Sequence, residues 1–246
     1  GFTLDSVSDP TKTLENKQTN KEKMKLIWSP ETASKAYIDT VKSCENLGTP
    51  GAAELVAAMA AGWNANLIVE TWSEGETIAI SVGLNIASRH TNGRHICIVP
   101  NARSQTAYLQ AMAEQSCSNL PETIIMNEEE EELEHTMLTL QGIDFLLVDW
   151  DQKDFAANVL RNAVFGSRGA VVVCRSGYRR STSCFSWTKA FSDRNVVRTV
   201  TLPVSGGLEI AHVAAARSSG KSDNNNKRKW IKHFDQRSGE EHVIRK

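Results

Sequence analysis

Three groups of polar residues in this chain have the types and spacing to do chemistry. Asp149 and Asp151 follow directly on the apolar run Phe145 to Val148, so both carboxylates stand at the end of a strand-like segment. Glu70 closes a second apolar run, NLIVE, and is followed by Trp72 and Gly75. Arg175, Arg179 and Arg180 come just after a third run, Ala170 to Val173, in the basic segment RSGYRR. Acids at strand ends offer acceptors or a base where open α/β sheets bind ligands. Guanidinium forks offer paired donors to a phosphate or another anion. Each group also has a plainer reading. The two aspartates could be salt-bridged to Arg175 or Lys153. Glu70 could cap the helix that starts near Gly75. The arginine loop could be a solvated surface that balances the acidic run Glu128 to Glu132.

The elements that must position these groups follow from the hydropathy pattern. Gly142 to Val173 reads as strand, helix, Gly turn, strand, which is a β-α-β unit. Before it, Ser29 with Pro30 and Glu31 marks a helix start, and Gly51 to Trp63 reads as a second helix. Strands are then expected at Asn66 to Glu70, His95 to Val99 and Glu122 to Met126, with helices at Thr77 to Arg89, Ser104 to Gln115 and Glu128 to Leu140. Phe155 to Phe165 is expected as a helix between the fourth and fifth strands, and Cys184 to Ser192 as another after them. Val196 to Leu202 and Leu208 to Ala215, joined by PVSGG, read as a hairpin. Alternating β and α followed by a terminal hairpin predicts one doubly wound α/β domain over 24–216. Gly1 to Lys23 lacks apolar periodicity and reads as a disordered extension, and 217–246 as a basic polar tail.

Composition bounds the function. A net charge of −1 gives no global attraction to nucleic acid or to a membrane surface, and neither partner is expected. Apolar runs are about strand length, well short of the roughly 20 residues that span a bilayer. The five cysteines are an odd number without C-x-x-C spacing, which favours neither a disulfide framework nor a zinc site and suggests a reducing, intracellular compartment, cytoplasm or nucleus. The histidines are scattered without ligand spacing. Lys227 to Lys232, KRKWIK, is a short basic run of the kind common in tails. No G-x-G-x-x-G follows the first strand, which argues against a dinucleotide-dependent oxidoreductase.

IVE ending at Glu70, VDWD carrying Asp149 and Asp151, and LPVSGGLEIA from Leu202 occur in an order that resembles the class I S-adenosylmethionine-dependent methyltransferases. The likeness runs from about Ser29 to Ala216 and is nearest to the small O-methyltransferases acting on caffeoyl-CoA and catechols. The whole chain is similar to a plant family of uncharacterised proteins with a methyltransferase-like fold. The resemblance implies a Rossmann-like methyltransferase sheet closed by a carboxy-terminal antiparallel hairpin. It places S-adenosylmethionine near Glu70, Trp72, Gly75, Val99 and Asn101, with Asp149 and Asp151 as catalytic candidates, while Arg175, Arg179 and Arg180 remain a candidate anion site on their own chemistry.

Set against that family, the chain departs at three points. Trp72 stands where the first cofactor-loop glycine is expected; it would stack on a ligand ring or fill the vacated space. Val99, followed by Pro100, replaces the acid that takes the ribose hydroxyls. Arg175 and Ser176 replace the Asp-Asn pair that holds a divalent cation, so no metal is expected and Arg175 is expected to pair with Asp149 or Asp151. Two functions follow: metal-free methyl transfer to a small metabolite, or a non-catalytic module that keeps the sheet and binds an unknown small molecule or protein.

Overall fold

The computed structural model describes residues 28–47, 51–115, 119–126, 136–175, 185–191, 196–204, 206–215, 230–234 and 241–245. Helix α1 (Pro30–Ser43) starts where the sequence predicts, with the Ser29 side chain accepting from the Thr32 amide and Pro30 at the first position. Helix α2 (Ala52–Gly62), strand β1 (Leu67–Thr71), helix α3 (Ala79–Thr91), strand β2 (Arg94–Val99), helix α4 (Ala102–Glu114) and strand β3 (Glu122–Ile125) follow. Asn92, left-handed at φ 52°, closes α3 and turns the chain into β2. Residues 136–139 are helical; the remainder of the acidic segment expected as a helix lies outside the described residues.

Strands β4 (Gln141–Ile143) and β5 (Phe145–Asp149) lead through the 3-10 turn Trp150–Gln152 into helix α5 (Lys153–Asn162). Beyond it come β6 (Val164–Phe165), β7 (Ala170–Arg175), helix α6 (Trp187–Ala190), and the hairpin β8 (Val196–Leu202) and β9 (Leu208–Val213). The main sheet has seven strands in the order β3-β2-β1-β5-β7-β9-β8. Its first five strands are mutually parallel, and β9 runs antiparallel to both β7 and β8. The doubly wound sheet with its terminal antiparallel hairpin is therefore as expected.

Other boundaries differ. The helix expected over Phe155 to Phe165 ends at Asn162, because Ala163 turns to an extended conformation (φ −59°, ψ 134°). Val164 and Phe165, aromatic and β-branched, then pair in parallel with β4 as a small second sheet. Helix α6 covers only part of the segment Cys184 to Ser192 expected for it: Phe185, Ser186 and Phe191 are not helical, and Cys184 and Ser192 lie outside the described residues. Within the stretch read as a polar tail, β10 (Trp230–Phe234) pairs antiparallel with β11 (Glu241–Arg245). The expected disordered extension, 1–23, lies outside the described residues.

Alternation along the strands divides the core into two layers. Ile68, Cys97, Val99, Phe145, Leu147, Val171 and Val173 face α1 to α4. Leu67, Val69, Ile96, Ile98, Leu146, Val148 and Val172 face α5 and α6. Helices α2 and α3 approach so closely that a Cβ on Gly83 would lie 2.7 Å from the Ala53 carbonyl oxygen, so glycine is required there. Asp144 closes the amino end of the parallel strands by accepting from the Asn66 and Leu67 amides at 2.8 and 3.3 Å and from Arg168 at 3.2 Å. Among the described residues no helix is long and apolar enough to cross a membrane.

Candidate functional site

The period of two that buries Ile68, Phe145 and Val171 puts Glu70, Asp149 and Arg175 on the same face of the sheet. All three lie toward the carboxyl ends of β1, β5 and β7, in adjacent strands. In the parallel register Asp149 stands opposite Arg175. The Arg175 guanidinium donates to Asp149 Oδ2 and, at 3.1 Å, to Glu76 Oε2. The Asp149 side chain is 2% exposed and that of Arg175 14%. The expected pairing of Arg175 thus falls on Asp149. Asp151 is exposed, and its backbone amide donates to Asp149 Oδ1 at 2.9 Å, so its chain segment braces Asp149 while its carboxylate faces outward.

Glu76 completes the cluster from the loop between β1 and α3. Its Oε1 accepts from the Ser73 amide at 3.1 Å and from the Ser73 hydroxyl at 2.5 Å. Burial dominates its ionisation and pushes its pKa up to about 7, against the lowering effects of Ser73 and Arg175. A carboxyl titrating near neutrality at strand ends is the condition a general base requires. It also has a stability consequence. The folded pKa lies above the ordinary value of 4.5, so the native state holds the proton more tightly. The resulting stabilisation is complete below about pH 4.5 and is lost as pH rises through about 7. Urea midpoints should therefore show a decline worth roughly 2–4 kcal/mol between pH 5 and pH 8 that is absent in Glu76→Gln. Equal slopes in the two proteins would contradict this ionisation.

Glu70 is drawn inward. It is 1% exposed and accepts from the Tyr108 hydroxyl at 2.7 Å and from Ser81 Oγ at 2.9 Å, with His95 Nε2 at 3.0 Å. It caps no helix; it ties β1 to β2, α3 and α4. Trp72 is 5% exposed and meets the Tyr108 ring edge-on at 5.4 Å between centroids, so it packs against α4. Its Nε1 is buried without an acceptor among the described residues. Gly75 adopts φ +97° with open space where a Cβ would stand, so the turn requires glycine here for its backbone conformation rather than for close approach. Val99 is fully buried in the α4 layer. Asn101 caps α4, its Oδ1 accepting from the Ser104 amide at 2.8 Å. Arg179 and Arg180 lie outside the described residues.

The structure therefore joins Asp149, Arg175 and Glu76 in one cluster and Glu70 with His95, Tyr108 and Ser81 in another. Glu76, Ser81, His95 and Tyr108 were not legible as site residues. Glu76 sits in a polar loop, TWSEGET, with no periodicity, and Ser81 and Tyr108 are single polar positions on apolar helix faces. The one available signal was Glu70 at a position the layer would bury, since a buried carboxylate demands donors. Among the described residues no group of three or more His, Cys, Asp or Glu is placed to hold a metal ion. The Arg175 guanidinium, paired with Asp149, puts a fixed positive charge beside that carboxylate.

Comparison with solved structures finds the same fold in proteins of low identity. The methyltransferase PaMTH1 of Podospora anserina, bound to S-adenosylhomocysteine (SAH), is 13% identical with a TM-score of 0.50, covering 76% of this chain and 89% of that one. A Geobacter sulfurreducens methyltransferase gives 15% identity and 0.49 over 76% and 91%. An O-methyltransferase of Bacillus cereus in complex with SAH gives 12% and 0.45 over 76% and 93%. At 13% identity the likeness to PaMTH1 is one of fold alone. Among curated proteins none matches the sequence. Residues 24–246 match the family described as "Protein of unknown function (DUF1442)", and the chain belongs to that family.

Proposed function

We propose that this chain binds S-adenosylmethionine at the carboxyl edge of its sheet and transfers the methyl group to a small or conjugated metabolite without a metal. The observation that carries the reading is the Glu76–Arg175–Asp149 cluster on a methyltransferase-type sheet. Its residues fit the amino-acid end of that cofactor. Arg175 offers a guanidinium to the carboxylate, and the acids around it suit an ammonium group. Trp72 Nε1, a buried donor without a protein acceptor, suits a ligand oxygen. Bound there, the cofactor would supply an electrophilic methyl group and leave as SAH. Glu76 takes the proton that the acceptor's hydroxyl or amine gives up, since its pKa stands at about 7. Asp149 holds Arg175 in place, and Asn101, rather than an acid, is the polar group at the end of β2.

A second reading, a non-catalytic binding module, is favoured by one observation: Trp72 packs on Tyr108 where the resemblance expects a glycine. Thermal-shift titration with S-adenosylmethionine and SAH separates the two. At about 100 times its dissociation constant a ligand adds roughly 2.7 kcal/mol, raising Tm by about 5–10 °C in a domain of this size. The shift should shrink by more than half in Arg175→Lys, which keeps the charge beside Asp149 but loses the fork. An unmoved Tm at millimolar ligand would favour the binding module.

A further inference from the structure

At the opposite rim of the sheet, by the amino ends of β2 and β3, lies a cavity of about 550 Å³ walled by the last turns of α3 and the segment entering β3. Cavities of this size hold small metabolites. Its charges do not cancel. Arg94 donates through Nε and Nη2 to the two oxygens of Glu122, at 3.0 and 2.7 Å, so that pair is neutral. Arg89, exposed at the end of α3, also lines the cavity, and its guanidinium has no hydrogen-bond or ion-pair partner among the described residues. One uncompensated guanidinium remains.

Two further groups there lack partners among the described residues. Asn92, fixed by its left-handed backbone at the end of α3, brings an unengaged side-chain amide. His95, 5% exposed, forms part of the same wall from β2; its Nε2 is engaged by Glu70, while Nδ1 has no hydrogen-bond partner. Asn92 is exposed; of the two only His95 Nδ1 is buried, and a buried polar atom left unmet calls for a partner. Leu120 and Pro121 give the cavity an apolar side.

We infer that this cavity is a second binding site, for a small phosphate monoester or comparable anion carrying an apolar group. The anionic head is held by Arg89, with Asn92 and the remaining Nη1 of Arg94 beside it, and the apolar group lies on Leu120 and Pro121. A guanidinium fork is matched to phosphate oxygens. None of these residues belongs to the carboxyl-edge cluster, so the site stands or falls independently of methyl transfer.

Calorimetric titration of the full chain with phenyl phosphate, and with inorganic phosphate, tests it. Saturable binding of phenyl phosphate at one site is expected, tighter than inorganic phosphate, weakened by about tenfold or more in Arg89→Gln and unchanged in Arg175→Lys. Arg89 is exposed, so Arg89→Gln should keep the wild-type Tm. Absence of saturation up to about 50 mM, equal binding by Arg89→Gln, or loss of binding in Arg175→Lys instead would overturn the assignment.

Discussion

Arg175→Met should lower the stability of the fold by about 3–5 kcal/mol, because it leaves Asp149 charged and buried without its counter-ion. The loss is not of Coulomb attraction alone. Returning a 2%-exposed carboxylate to water requires the carboxyl end of β5 to open, and keeping it buried requires protonation. Urea denaturation at pH 7 reads the effect as a lowered midpoint with an unchanged m-value. Adding Asp149→Asn to Arg175→Met should recover much of the loss, since a neutral amide in that position carries no unpaired charge. A cost below about 1 kcal/mol for Arg175→Met would place the ion pair among weak surface pairs and remove it from the core of the site.

Tyr108→Ala should be comparably costly, roughly 3–5 kcal/mol, since a fully buried ring is lost from between α4 and the sheet. Two contacts go with it: the edge of Trp72 and the hydroxyl donated to Glu70. Tyr108→Phe isolates the second contact, because the ring remains. Taking one donor from a buried carboxylate should cost about 1–3 kcal/mol. The two variants, compared by chemical denaturation, separate packing from hydrogen bonding. Near-identical losses would mean that the hydroxyl carries the whole effect, contrary to the packing seen around Trp72.

Much of the fold was legible because its strands are buried on both faces. LIVE, ICIV, FLLV and AVVV read as near-continuous apolar runs, and the cap at Ser29 marks its own helix, whereas Asn101, expected beside a cofactor, caps α4 three residues before the helix start read from the sequence. Arg175 was legible as a partner of Asp149 or Asp151 because each follows a run of the same kind; the choice of Asp149 comes from the parallel register, which brings the two opposite each other. The partners from loops and helices were not. Glu76 reaches Arg175 across 99 residues of sequence, and the path of its loop depends on the turn at Gly75 and on Ser73. Tyr108 and His95 meet Glu70 only once α4 and β2 are packed on β1. Local pattern was equally blind to Val164 and Phe165, which pair with a strand more than twenty positions earlier instead of extending α5.

On the function proposed, the carboxyl edge with Glu76, Arg175 and Asp149 receives a methyl donor. Calorimetric titration of the purified chain with SAH tests it most directly, since the product analogue binds without turning over. One site per chain is expected, with a dissociation constant in the micromolar range, about −8 kcal/mol, and with at least tenfold weaker binding in Arg175→Lys. An absence of heat and of competition by S-adenosylmethionine at millimolar concentration, in protein that melts cooperatively, would contradict it and leave the sheet as a binding scaffold without a cofactor.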